Sequence, residues 1–259
     1  MVDVMLAGTL PPGMQVGLIG SGNMASALAR GWGGPVLCAD PLPGRAQALA
    51  GELGGEALDS NLAVAEQADV VILAHKPAQL SDVASEIAGT PKRVVSILGA
   101  TPLASVQAAY PDTPVFRVLP NVAVEVRQGV LCVANGTEPD EEIVALFERV
   151  GRVVHLDDAL IDVAMGLMST APAYVALAVE AQVDAGVRRG LPPDIASELV
   201  VGTTAGTAAL LDAKDHDTLA VRRSVTSPGG STARGLRALE QHGLRNAYQE
   251  ALDAVLEGR

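Results

Sequence analysis

The sequence predicts a doubly wound parallel β-sheet followed by an all-helical domain. Three observations carry this. Short, continuous, β-branched apolar runs alternate with helical segments from Met14 to Leu156, a glycine-rich string directly follows the first run, and strand-like runs stop after Leu156. Continuous apolar strands, unlike alternating ones, belong to a sheet covered on both faces. At 259 residues the chain is long enough for two domains. They are expected at 14–157 and 158–259, after a loose leader at 1–13 that has no period and closes with Leu10-Pro11-Pro12-Gly13.

Residues 16–19 form the first strand, and Gly20-Ser21-Gly22 opens a helix running through Arg30. The second strand, 36–39, ends at Asp40, and a helix spans 43–53. Runs at 70–74, 94–97 and 115–118 repeat the theme. The last strands, 129–134 and 153–156, flank a helix opening at Glu138-Pro139-Asp140-Glu141, where proline and acids suit a first turn. Helices then cover 171–189, with Pro172 in the first turn, 193–211 and 217–224, and two more follow Pro228 and Gly243. The helix at 171–189 is apolar nearly all round and needs cover on every side. Thin alanine-rich neighbours supply little of it, so an intertwined dimer is expected; the alternative is a helix sandwiched between its own sheet and neighbours.

Composition narrows the function. Apolar residues make up 49 % and charged ones 19 %, against about 25 % charged in an ordinary soluble domain, which points to burial beyond a monomer's interior. The net charge of −12 repels phosphate backbones and anionic lipid, so neither nucleic acid nor a membrane is an expected partner. The aromatics are Trp32, Tyr110, Phe116, Phe147, Tyr174 and Tyr248, too few for a base-stacking platform. The most apolar stretch, 174–185, is interrupted by Glu180 and Asp184 and falls short of the roughly 20 residues of a membrane helix. Cys38 and Cys132 lie in strand-like runs and no signal segment is read, so a reduced, cytoplasmic compartment is expected.

Gly20-Ser21-Gly22-Asn23-Met24-Ala25 is a GxGxxA string placed after a strand and at the head of a helix. That is the context a dinucleotide-binding turn requires, although glycines there also suit a purely structural turn. Gly20 allows the tight turn, Gly22 admits a pyrophosphate to the backbone, Ala25 packs helix on strand, and the helix N-terminus receives the anion. Asp40, at the end of the second strand, reaches a ribose 2′-hydroxyl and favours NADH over NADPH, with Arg45 able to reverse this; alternatively it caps the next helix. In His75-Lys76-Pro77, at the carboxyl edge of the sheet, Lys76 can meet a negative group, while a solvated loop is the plainer reading and His75 is not read as a base. Asn121 suits a carboxamide contact or a turn after Pro120. Thr226-Ser227-Pro228-Gly229-Gly230-Ser231-Thr232, before a helix, reads as an anion nest for a small carboxylate. The four histidines are scattered and neither cysteine has a close partner, so no metal site is expected.

In this order the pieces resemble the pyrroline-5-carboxylate reductases from Met14 to the C-terminus. The resemblance rests on Gly20 to Met24, Lys76-Pro77, Pro120-Asn121, Ala171-Pro172-Ala173-Tyr174 with Glu180 and Asp184-Ala185-Gly186, Gly190-Leu191-Pro192, and above all Val225-Thr226-Ser227-Pro228-Gly229-Gly230. It implies a Rossmann domain, an interlocking helical dimerisation domain in a homodimer or larger oligomer, and reduction of the cyclic imine 1-pyrroline-5-carboxylate to L-proline by hydride from NADH or NADPH. It implies cofactor contacts at Gly20, Ser21, Gly22, Asn23, Met24, Lys76, Pro77 and Asn121, to which position adds Asp40. Ser227, Gly229, Gly230, Ser231 and Thr232 would hold the substrate, with Thr232 the catalytic side chain at the ring nitrogen. The chain departs from the family pattern at Ala39-Asp40-Pro41, Gly99-Ala100, Val122-Ala123, Ser169-Thr170-Ala171 and Arg223. These departures keep open a related reductase of another cyclic imine, and a catalytically silent dinucleotide-binding dimer.

Overall fold

The computed structural model describes residues 10, 11 and 13–257. The chain divides into two compact units between Thr170 and Ala171.

In the first unit, eight strands among the described residues form one sheet: β1 Val16–Ile19, β2 Leu37–Ala39, β3 Glu56–Ala57, β4 Val70–Leu73, β5 Val94–Ser96, β6 Val115–Pro120, β7 Gly129–Ala134 and β8 Gly151–Leu156. Their order is β3-β2-β1-β4-β5-β6-β7-β8. β1 pairs in parallel with both β2 and β4, so the strand order reverses there and a crevice opens beyond the carboxyl ends of these strands. The expected all-parallel sheet needs one correction: β6 and β7 are antiparallel, while β7 and β8 run parallel to each other. Residues 121–128 join β6 to β7, fewer than the dozen or more a parallel crossover needs, so the chain reverses instead.

Seven α-helices among the described residues accompany the sheet: α1 Asn23–Trp32, α2 Arg45–Leu53, α3 Asn61–Gln67, α4 Leu80–Ile87, α5 Leu103–Ala109, α6 Glu141–Glu148 and α7 Asp158–Met168. α1, α2 and α6 build one apolar layer with Val70 and Ile72; α3, α4, α5 and α7 build the other with Val71 and Leu73. Successive residues of β4 thus feed opposite cores and all four are fully buried, which is why the run carries no polar residue. Trp32 of α1 stacks edge-on against Phe147 of α6 at 5.9 Å and donates its indole N–H to the Leu146 carbonyl at 2.9 Å.

Most of the expected loose leader, residues 1–9 and 12, lies outside the described residues. Its described part includes Leu10, which is buried in the α1-side core. The second domain is expected from 158, while the compact units divide at Thr170/Ala171, since α7 packs on β7 and fully buries Ile161 in the second core.

The second unit consists of α8 Ala171–Val187, α9 Pro193–Asp212, α10 Thr218–Ser224, α11 Ser231–Gln241 and α12 Leu244–Glu257. Among its described residues only Ala196 is buried, and Leu177 is 64 % and Leu199 55 % exposed. With only Ser169 and Thr170 between them, α7 and α8 make Asp158–Val187 long and apolar enough to cross a membrane by composition, a longer apolar segment than the 174–185 run read from sequence.

Candidate functional site

The first candidate site is the turn from β1 into α1. The Gly20 amide donates to the Ala39 carbonyl at 2.8 Å, and the Ala74 amide to Ile19 at 2.9 Å, so the ends of β1, β2 and β4 are tied together here. Gly20 has φ +101°, and a Cβ on it would stand 2.7 Å from the Ala74 carbonyl oxygen. No other residue fits. At Gly22, which precedes the first turn of α1, a Cβ would meet open space, and no side chain caps the helix. The amides at the head of α1 therefore face room for an anion.

Asp40 serves the fold and faces the crevice at once. One carboxylate oxygen accepts the Ser21 amide at 2.6 Å and the other the Leu42 amide at 2.8 Å, which pins the glycine turn to the end of β2. A cavity of about 490 Å³ brings Gly20, Gly22, Asn23, Met24, Asp40, Lys76 and Pro77 together, with Arg45 and His75 also on its wall. Ser21 and Asn121 are not on that wall. Asn121 is buried; its amide donates to the Met168 carbonyl at 3.1 Å and its oxygen accepts the Val130 amide at 3.2 Å. Both ends of its carboxamide thus hold β6, β7 and α7 together.

A second cavity of about 430 Å³ shares Gly20, Asp40, Pro41, His75 and Gln79 with the first and reaches α4. Its wall adds Asp59, Asn61, Asp82 and Glu86, which sequence reasoning did not single out because they lie in two separate segments and carry no motif. Asn61 donates its side-chain amide to Glu86. The Nδ1 of His75 lies 2.8 Å from the Lys76 carbonyl oxygen, so this nitrogen carries the proton and Nε2 holds a lone pair. Burial pushes the imidazole below its ordinary pKa, against smaller upward effects from the Lys76 carbonyl and Glu86. Neither cysteine offers a thiolate: burial pushes Cys38 up to about 11, and Cys132 upward as well.

The other candidate site lies at the head of α11 in the second unit. Gly229 has φ +70°, and the Gly230 amide donates to the Ser227 carbonyl at 3.0 Å, closing the turn. A Cβ on Gly230 would collide with the Ser227 hydroxyl. Arg234 braces the turn by donating to the Gly229 carbonyl at 2.7 Å. Gly230 supplies no side-chain cap, so the first amides of α11 remain open beside the Ser227, Ser231 and Thr232 hydroxyls. This is the geometry of a small-anion nest.

A family described as pyrroline-5-carboxylate reductase dimerisation matches residues 158–258, and one described as NADP oxidoreductase, coenzyme F420-dependent, matches 15–99. The pyrroline-5-carboxylate reductase of Synechocystis sp. is 36 % identical over 261 residues, covering 93 % of this chain and 96 % of its own. The solved 1-pyrroline-5-carboxylate reductase of Streptococcus pyogenes aligns with TM-score 0.85 at 26 % identity, over 95 % of this chain and 97 % of that one. The fold also matches the Plasmodium falciparum pyrroline carboxylate reductase solved with NADP bound, with TM-score 0.84 at 24 % identity, over 97 % and 98 % of the two chains. With a relative of this identity over nearly its whole length, and a helical half that matches the family's dimerisation domain, the chain belongs to the pyrroline-5-carboxylate reductase family.

Proposed function

We propose that the protein reduces 1-pyrroline-5-carboxylate to L-proline, as an oxidoreductase acting on a CH–NH bond with NADH or NADPH. The observation that carries this reading is the open nest at the head of α11, formed by Ser227, Gly229, Gly230, Ser231 and Thr232 within the family's dimerisation domain. The first unit fits a dinucleotide: the Gly20 turn admits no Cβ, and the uncapped α1 offers its amides to a pyrophosphate. A bound nicotinamide supplies the hydride. Gly20, Gly22, Asn23 and Met24 hold the phosphates, with Lys76 as counter-charge and Pro77 bounding the cleft. Ser21 contributes through its position in the turn, and Asn121 by fixing the end of β6.

On the substrate side, the nest amides and hydroxyls take the carboxylate, and Thr232 hydrogen-bonds the ring nitrogen. The imine is protonated near neutral pH, so the chain's task is orientation rather than proton transfer. Asp40, a carboxylate on the wall of the cleft, disfavours a 2′-phosphate and makes NADH the better donor, with Arg45 opposing it. The assembly is a homodimer or larger through the apolar helices of the second unit, and the acidic surface argues against nucleic acid or membrane partners. Two free, buried cysteines suit a cytoplasmic setting.

Purified protein with pyrroline-5-carboxylate and either cofactor, followed by cofactor oxidation, tests the reading. Turnover with a higher kcat/KM for NADH is expected. No turnover with either cofactor overturns the activity, and a higher kcat/KM for NADPH overturns the role given to Asp40.

A further inference from the structure

Strand β6 carries one cation among apolar residues. Arg117 is 2 % exposed, and its guanidinium donates to Asp158 at 2.7 Å and to Asp162 at 3.1 Å, both on α7. The second oxygen of Asp158 accepts the Leu103 amide at the head of α5 at 3.0 Å. The Arg117 Nε is buried and has no hydrogen-bond partner among the described residues. Such a group is expensive to bury, and replacing a buried ion cluster by well-packed apolar residues is often neutral or stabilising. Stability alone does not account for it.

Register shows what the cluster holds. Arg117 and Leu119 share one face of β6, and Asn121 continues it. Arg117 and Asn121 stand about 13 Å apart along the strand, while Asp162 and Asp158 stand about 9 and 15 Å from Met168 along α7. α7 is therefore fastened at both ends, by Arg117 near its start and by the Asn121 amide on the Met168 carbonyl at its finish. Arg117 also lies opposite Ser96, the last residue of β5. Its partner Asp158 anchors Leu103, just beyond the segment 97–102 that leaves β5 and in which Ala100 holds φ +53°. The segments after β5 and β6 lie at the carboxyl ends of the half of the sheet that takes the second nucleotide of a dinucleotide. In a nicotinamide cofactor that nucleotide is the reactive one.

We propose that Arg117 is a positioning residue for the nicotinamide half of the cofactor site, acting through Asp158 and α7 on Asn121 and on the segment after β5. Its buried side chain acts only through these partners. The inference rests on the dinucleotide reading above but not on the identity of the imine.

The intact protein tests this with ADP-ribose, which lacks the nicotinamide, by calorimetry, with NADH by the fluorescence gain of its dihydronicotinamide on binding, and with turnover of pyrroline-5-carboxylate. Arg117→Met should lower kcat about ten- to a hundredfold, as a misplacement of about 1 Å does. The fluorescence gain should fall with it, while the Kd of ADP-ribose stays unchanged. Asp158→Asn, the milder change, should show the same split, and the combined variant should be no worse than Arg117→Met alone, since both remove one interaction. A merely structural cluster would instead lower the Tm and weaken ADP-ribose in step with kcat. Unaltered kcat and fluorescence gain in Arg117→Met, an ADP-ribose Kd that worsens as much as kcat falls, or simple addition of the two losses overturns the inference and leaves the reductase reading standing. Should Arg117→Met not fold, Asp158→Asn decides by the same kcat, fluorescence and ADP-ribose criteria. An unaltered protein that binds NADH without turnover overturns the reductase reading, and the fluorescence and ADP-ribose comparison still decides for or against Arg117. Failure of NADH to bind the unaltered protein overturns both.

Discussion

Thr232 and Ala100 show how far single residues can be read. Thr232 stands in the first turn of α11 beside the open nest, where we propose that its hydroxyl meets the substrate. Thr232→Ala should therefore raise KM for the imine or lower kcat while leaving the Kd of NADH unchanged; equal losses in both would refute its role. Ala100 stands in the order Gly99-Ala100 where the family pattern reverses the two, and it adopts φ +53°, a left-handed backbone that disfavours a side chain. Such strain costs about 1–2 kcal/mol, and a glycine gives back roughly 0.4–1 kcal/mol as unfolded-state entropy. Ala100→Gly should gain about 0.5–1 kcal/mol, seen as a higher urea midpoint. Asp40 and Asn121 mark the limit of legibility at this scale. Sequence placed both at the ligand edge of the sheet, yet the partners that occupy them, Ser21 and Leu42 for one and Met168 and Val130 for the other, are brought near only by tertiary folding. His75 was legible as a loop residue; the burial that holds its imidazole below the ordinary pKa was not.

Elements were legible where periodicity and length agreed. β1 and β7 fall on the residues their apolar runs predict, and α9 starts at the expected Pro193. β3, two residues long, carries no pattern to detect. The antiparallel turn into β7 follows from connector length alone, and that length is known only once both strand ends are known. α7 belongs to the first compact unit because its apolar face is buried against the sheet, a demand invisible to local sequence. Asp69, just ahead of β4, illustrates how neighbouring strands are held in place. Its carboxylate accepts the Gln15 amide at 2.9 Å and pairs with Lys92 at 2.7 Å. These partners, the amide first, hold its pKa below the ordinary carboxylate value. A group depressed in the fold stabilises above its unfolded value and loses that contribution as pH falls through the folded one. Asp69→Asn should thus cost about 1 kcal/mol at neutral pH, with the gap to the unaltered protein closing below about pH 4 in acid-unfolding curves.

At the scale of the whole molecule, the excess of apolar over charged residues finds its place in the second unit, whose helices expose Val175, Leu177, Ile195, Leu199 and Val201. Patches of this kind mark an interaction surface, and the family's dimerisation domain spans them. Leu177→Glu combined with Leu199→Glu should yield a smaller particle by light scattering with a lower Tm; an unchanged particle would show that these positions lie outside the interface. The second unit also has an energetic consequence. With Ala196 its only buried residue among those described, it has almost no interior with which to offset its own chain entropy. Its helices must borrow that interior from another copy, so their folding is linked to association by mass action. Thermal midpoints should rise with protein concentration, and specific activity should fall on dilution as the nest at α11 loses its scaffold, so that an assay at trace enzyme would measure assembly rather than chemistry.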